Sequence, residues 1–234
     1  MEANETSRYF SLDRYLLRQG TQLPRLHEYL RGAHLPALNA AGVSTVIVLE
    51  GLITPHFPQV TVLTGLRSLE ELAHVQTVLA SEPHLGGVTR WQESGEPFER
   101  QERILLETAG YSPPIEPAEV ASPPGVFELR VYRSPSTRQF RALHERFAGP
   151  EIGIFHRLGI RPILYASTLF GPDVPSLVYL TPFENLAARE KAWDAFREDP
   201  EWTRVRKESV EQHGQINSYM QIQLYRASGY SPVR

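Results

Sequence analysis

The sequence predicts an α+β protein made of two copies of one β-α-β-β-α-β unit, closed against each other as a barrel. Three observations carry this: an ungapped internal repeat, a switch between strand-like and helix-like apolar periods inside each copy, and a proline-rich break between the copies. Phe10 corresponds to Phe127, an offset of 127 − 10 = 117. The same offset aligns Leu12 with Leu129, Tyr15 with Tyr132, Leu26-His27-Glu28 with Leu143-His144-Glu145, and Gly42 with Gly159. It continues through Pro58/Pro175, Leu63-Thr64/Leu180-Thr181 and Pro83/Pro200. The copies end alike, Ala109–Pro114 (AGYSPP) resembling Ser228–Val233 (SGYSPV). A period this long means two units of one fold rather than a solenoid.

The second copy shows each element most clearly. In VFELRVYR, Phe127, Leu129 and Val131 alternate with Glu128, Arg130 and Tyr132, the period of a strand. A helix is expected from about Pro135 to Leu158, with Ile152, Phe155 and Leu158 on one stripe and Gly159 as its left-handed stop. Arg161-Pro162 then forces extended backbone into a second strand, IRPILYASTLF, which the turn Gly171-Pro172-Asp173 ends. SLVYLTPF closes a hairpin with it. A second helix starts near Asn185, carries Leu186, Trp193 and Phe196, and breaks at Asp199-Pro200 before Trp202. The last strand runs roughly from Gln215 to Arg226. This order is the ferredoxin-like arrangement. Its sheet has helices on one face only, so the bare face must be covered, and the second copy is the economical cover. The expected architecture is two tandem ferredoxin-like units, 1–117 and 118–234, forming an intramolecular barrel, with the linker at 111–125.

Composition bounds the partners. The chain has 234 residues, net charge −3 and no cysteine, which argues against nucleic-acid or anionic-membrane binding and excludes thiolate chemistry. The halves differ, 9 − 14 = −5 for residues 1–117 and 15 − 13 = +2 for 118–234, an asymmetry that would orient the units and support further homodimerisation. The N-terminal stretch lacks a basic start followed by an apolar run, so no signal peptide is expected. No stretch approaches the roughly 18 apolar residues of a membrane span, and a cytoplasmic location is the expectation. Dinucleotide, P-loop and HExxH motifs are lacking, so no cofactor and no metal are expected.

The candidate site is the stretch EIGIFHRLGIRPILY, Glu151 to Tyr165. Glu151, His156, Arg157 and Arg161 stand where the first copy has His34, Asn39, Ala40 and Ser44, so the polar set exists once. Packing alone would keep it in both copies. The plainer reading is a set of solvated charges at a helix end, where arginine favours the macrodipole. His144, matched by His27, is an acid/base candidate at a barrel mouth, or a packing histidine. Glu128, Arg130 and Tyr132, with Ser11, Asp13 and Tyr15 opposite, are expected to line the barrel interior. There they would bind a small anionic or phenolic ligand, or form an internal ion-pair network.

The segments FELRVYR (127–133), GPEIGIFHRLGIRPILY (149–165), LVYLTPFENLAAREKAWDAF (177–196) and DPEW (199–202) resemble the NIPSNAP domain of the dimeric α+β barrel superfamily. The likeness covers nearly all of the second copy; the first keeps the fold residues but not the polar ones. It implies an α+β barrel of undefined biochemical role, related to cofactor-free monooxygenases and haem-handling enzymes. Two functions are therefore expected as alternatives. One is a module binding a small molecule or a protein partner, with Arg157, Arg161, Glu151, Arg130, Tyr132 and Tyr165 as ligand contacts. The other is a cofactor-independent monooxygenase or isomerase acting on a small aromatic or polyketide-like substrate. There His156 or His144 would abstract a proton and Arg157 or Arg161 would hold the oxyanion.

Overall fold

The computed structural model describes residues 7–115 and 125–233. The first half runs β1 (Tyr9–Leu16), α1 (Gln22–Tyr29), a π-helical turn (Leu30–His34), α2 (Leu35–Ala40), β2 (Val46–Ile53), β3 (Gln59–Leu66), α3 (Leu69–Leu79), α4 (His84–Glu93) and β4 (Arg100–Thr108). The second runs β5 (Val126–Arg133), α5 (Thr137–Arg146), a π-helical turn (Phe147–Glu151), α6 (Ile152–Arg157), β6 (Leu164–Phe170), β7 (Ser176–Phe183), α7 (Leu186–Glu198), α8 (Pro200–His213) and β8 (Tyr219–Ala227). The expected single helix from Pro135 to Leu158 is thus α5, a π turn and α6. Gly149 has non-helical backbone and Pro150 has no N–H to give, which breaks the regular ladder there. The expected strand from Ile160 begins only at Leu164, after the Arg161-Pro162 extension.

The helix starts follow from side-chain caps. Ser68, Ser136, Asn185 and Asp199 each accept a hydrogen bond from a backbone N–H of the first turn, and Pro200 occupies the first position of α8. Gly42 and Gly159 end α2 and α6 with φ of 82° and 83°, the left-handed region only glycine enters cheaply.

All eight strands form one closed barrel in the order β1-β3-β2-β8-β5-β7-β6-β4. Within each half the order is β4-β1-β3-β2 and β8-β5-β7-β6; the seams β2–β8 and β4–β6 join the halves antiparallel. The lumen is drawn from both halves, with Phe10, Leu12, Leu63 and Leu106 against Phe127, Leu129, Val131 and Leu180, and carries a buried polar group of Arg14, Gln59, Thr61, Gln223 and the Tyr225 hydroxyl. Two further cores lie outside the barrel, each between a sheet face and its helices.

The GYSP tails lock the seams reciprocally. After β4, Tyr111 reaches the second half and its hydroxyl bonds His144 Nδ1 at 2.9 Å; after β8, Tyr230 reaches the first half and bonds His27 Nδ1. Ser112 Oγ accepts from Tyr165 N–H and Ser231 Oγ from Val48 N–H, each at 2.9 Å. Ala109 N–H donates to Tyr165 O and Ser228 N–H to Val48 O. Tyr111 and Ser112, expected in the linker, therefore belong to the barrel; residues 116–124 of that linker lie outside the described residues.

Ser112→Ala and Ser231→Ala should each cost about 1 kcal/mol of stability, since each unpairs a backbone N–H at a seam. The double variant should be close to additive because the serines share no partner. Urea denaturation measures both. A second expectation concerns His34, buried at the end of the first π turn between Tyr29 and His84. Burial, helped by the neighbouring His84, lowers its pKa to about 4. The unfolded chain, with an ordinary imidazole, then binds more protons between about pH 4 and 6.5. Stability should fall as pH drops through that window, by up to roughly 3 kcal/mol from this group. His34→Gln should fall less over the same range in denaturation measured at each pH.

Candidate functional site: the polar layer beneath the second-half helices

Closure decides which way β5 faces. Phe127, Leu129 and Val131 point into the lumen, so Glu128, Arg130 and Tyr132 point outward beneath α5–α8. The expectation that these three line the barrel interior is corrected: side chains alternate along the strand, so with Phe127, Leu129 and Val131 inside they lie beneath helices that bring their own arginines. Glu128 is fully buried, with Arg130 donating to one carboxylate oxygen and Arg189 of α7 to the other. Arg130 lies 3.5 Å from the centroid of the Trp193 ring and donates to the Tyr132 hydroxyl at 3.1 Å. Tyr179 donates to the same hydroxyl at 2.7 Å. Burial pulls the Arg130 pKa down, but Tyr179, Tyr132 and Glu128 together hold it above its ordinary value, so it stays charged. In the first half Asp13 stands at the Arg130 position and binds Arg103 at 2.7 Å and Ser11 at 2.8 Å.

Glu151, at the end of the second π turn, is 1% exposed and accepts from Arg146 Nε at 2.7 Å. Burial raises its pKa and Arg146 opposes that rise. Arg146 also stacks 4.9 Å from the Trp202 ring centroid. Tyr165 is fully buried among Phe147, Tyr179 and Tyr111, and its hydroxyl has no hydrogen-bond partner among the described residues. Burial, reinforced by Glu151 and Tyr111, pushes its pKa up. His144 is half-buried with both ring nitrogens engaged, Nδ1 by Tyr111 and Nε2 by Ser167 Oγ at 3.2 Å. Desolvation lowers its pKa and favours the neutral ring.

The corner from Glu151 to Arg161 does not converge, which corrects the expected cluster. Glu151 turns inward. Arg157 lies on the surface and binds Asp199 at 2.7 Å and Glu201 at 2.9 Å, tying α6 to the start of α8. His156 and Arg161 are exposed, without a side-chain hydrogen bond or ion pair among the described residues. The physical reason is helical geometry: residues five apart, such as Glu151 and His156, do not share a face as residues three or four apart do. Sequence reasoning missed Arg146 and Arg189, the partners of Glu151 and Glu128. Arg146 lies five residues before Glu151, a spacing that only the π turn makes a contact; Arg189 has no sequence link to Glu128. Among the described residues no three His, Asp or Glu side chains converge as a metal site requires, and no helix is long and apolar enough to cross a membrane.

The anthrone oxidase-like protein of solved structure is 14% identical, with 98% of this chain and 95% of that chain covered and a TM-score of 0.59. A proposed monooxygenase from Lactobacillus acidophilus NCFM is 11% identical, with 94% of each chain covered and a TM-score of 0.56. At these identities the likeness is one of fold, an α+β barrel spanning both halves. An uncharacterized NIPSNAP-like domain protein from Burkholderia xenovorans is 25% identical, with 46% of this chain and 88% of that chain covered and a TM-score of 0.39. No curated protein matches the chain significantly. The NIPSNAP family model matches residues 127–232, from β5 through the closing GYSP tail.

Proposed function

We propose that the chain is a NIPSNAP-like binding protein, taking up a small molecule or a protein partner on its α+β barrel rather than transforming it. On this reading residues 1–117 and 118–234 are tandem ferredoxin-like units, the intramolecular counterpart of a dimeric α+β barrel, with the first serving as scaffold. The observation that supports it is the state of the second-half polar layer. Glu128 is held by two arginines, Glu151 by Arg146, and His144 by Tyr111 and Ser167, so these groups are engaged within the protein itself. A general base must reach a substrate proton, and each of these already has its partner.

The second reading, a cofactor-independent monooxygenase or isomerase, is favoured by the anthrone oxidase-like and proposed monooxygenase neighbours. It would use His144 as base, since His156 and Arg161 stand apart in solvent. A thermal-shift screen with phenols, polyketide-like acids, haem and nucleotides, run beside aerobic oxygen uptake with anthrone, separates the two. Binding predicts a raised melting midpoint for one class with no oxygen uptake. Oxygen uptake that disappears in His144→Gln would replace the binding reading with the enzyme.

A structural role for the polar layer has its own consequence. Glu128→Gln leaves Arg130 and Arg189 buried against a neutral group and should cost roughly 3 kcal/mol in urea denaturation. A neutral outcome would mean the layer is held for something other than packing.

A further inference from the structure

Outside the barrel, where β2, β8 and β5 run side by side, a groove of about 700 Å³ opens at the N-terminus of α7. Leu52, Val126 and Leu186 give it apolar walls, and Arg226 and Ser228 border it from β8 and the tail that follows. We propose that this groove binds a small monocarboxylate with an apolar tail, the carboxylate on Arg226 and the tail along Leu52, Val126 and Leu186. The proposal rests on the binding reading above and gives it a place and a ligand class.

The argument comes from the counterpart in the first half. Strands β1 and β5 are equivalent end to end, as are β4 and β8, so Arg8, Tyr9 and Glu107 stand where Gly125, Val126 and Arg226 stand in the second half. There Arg8 donates to Glu107 at 3.1 Å and lies 5.2 Å from the Tyr9 ring centroid. Charge and space are both used up. In the second half glycine and valine vacate that space, and the charge on the last strand changes from negative to positive. The Arg226 side chain makes no hydrogen bond or ion pair among the described residues. Its cross-strand neighbour Glu50 turns instead to His27 Nε2 at 3.1 Å.

The helix beside the groove has changed in the same sense. α3 carries Glu70 and Glu71 in its first turn, which offset the positive end of the helix. α7 has Ala187 and Ala188 there, and no acid in its first turn. Asn185 Oδ1 caps the Ala188 N–H at 2.8 Å, which leaves the N–H groups of Leu186 and Ala187 without an acceptor among the described residues. Ser228, 7% exposed, borders the groove with its hydroxyl beside that of Tyr230.

The ligand class follows from the donor set. One guanidinium presents a planar fork that fits one carboxylate in bidentate fashion, and the helix N-terminus adds donors rather than a second full charge. Apolar walls reward an aliphatic or aryl tail, and the volume lies in the range of small-molecule sites.

Isothermal titration calorimetry with decanoate, kept below its micelle concentration, tests this, with decan-1-ol as the neutral arm. Decanoate should bind one per chain, and decan-1-ol roughly tenfold more weakly for lack of the charge-assisted bond. Arg226→Gln should weaken decanoate roughly tenfold and leave decan-1-ol unchanged. Ala187→Trp, which fills the groove from an exposed helix position, should abolish both. Unchanged melting midpoints in both variants establish that they fold. Decanoate binding that survives both substitutions would overturn the groove while leaving the binding reading in place. Failure of decanoate to bind the wild type would overturn the ligand class, and the binding reading falls with it only if the wider screen also finds nothing.

Discussion

Closure of the eight-stranded ring is the constraint on which the rest of the molecule depends. Either half alone would be an open sheet with two unpaired edges and a bare apolar face, Phe10, Leu12 and Leu63 in one case and Phe127, Leu129 and Leu180 in the other. Open edges invite pairing with other chains, and apolar faces must be buried. The seams β2–β8 and β4–β6 solve both problems together. The GYSP tails then carry each half onto the other, so that Tyr111 bonds His144 and Tyr230 bonds His27. A tyrosine and a histidine suit such a clasp because each joins an apolar body to a polar tip that can bond across a half-buried surface.

Closure also settles where charge resides. Side chains alternate along a strand, so filling the lumen with Phe127, Leu129 and Val131 sends Glu128, Arg130 and Tyr132 beneath the helices. There they are out of water, and buried ions persist only with partners. Arg189 and Arg146 supply these for Glu128 and Glu151, with Trp193 and Trp202 stacked on the guanidinium faces of Arg130 and Arg146. The pKa shifts of Arg130 and Glu151 share one origin: burial presses each toward its neutral form, and apposed groups of opposite charge resist it.

The halves agree where they close the barrel and diverge beneath the helices and on the outer surface. The π turns Leu30–His34 and Phe147–Glu151 recur at equivalent places, yet one ends in a neutral buried histidine and the other in a carboxylate held by an arginine. On the outer surface, Arg8, Glu107 and Glu70 give way to Gly125, Arg226 and Ala187. The first set closes a surface, and the second leaves a groove bordered by an arginine whose side chain has no partner among the described residues.

Much of the architecture was legible in the chain. The repeat, the alternation in VFELRVYR, the stop at Gly159, the break at Asp199-Pro200 and the matching GYSP tails are local or periodic signals, and backbone stereochemistry converts them directly into strands, turns and caps. The candidate site was less legible. Glu151, His156, Arg157 and Arg161 crowd together in sequence, but a helix turns them to different sides, and Arg157 is claimed by Asp199. Which face of β5 looks into the lumen depends on how the halves close, and both faces of that strand are buried, so alternation gives two faces without saying which is inside. The partners Arg189 for Glu128 and Tyr111 for His144 come from distant elements brought together by the seams. The sequence by itself determined the order of strands and helices because those follow from short-range rules. Only the tertiary structure decided the inside of the barrel, the pairing of its charges and the open groove, because these arise where chain segments far apart compete for the same space.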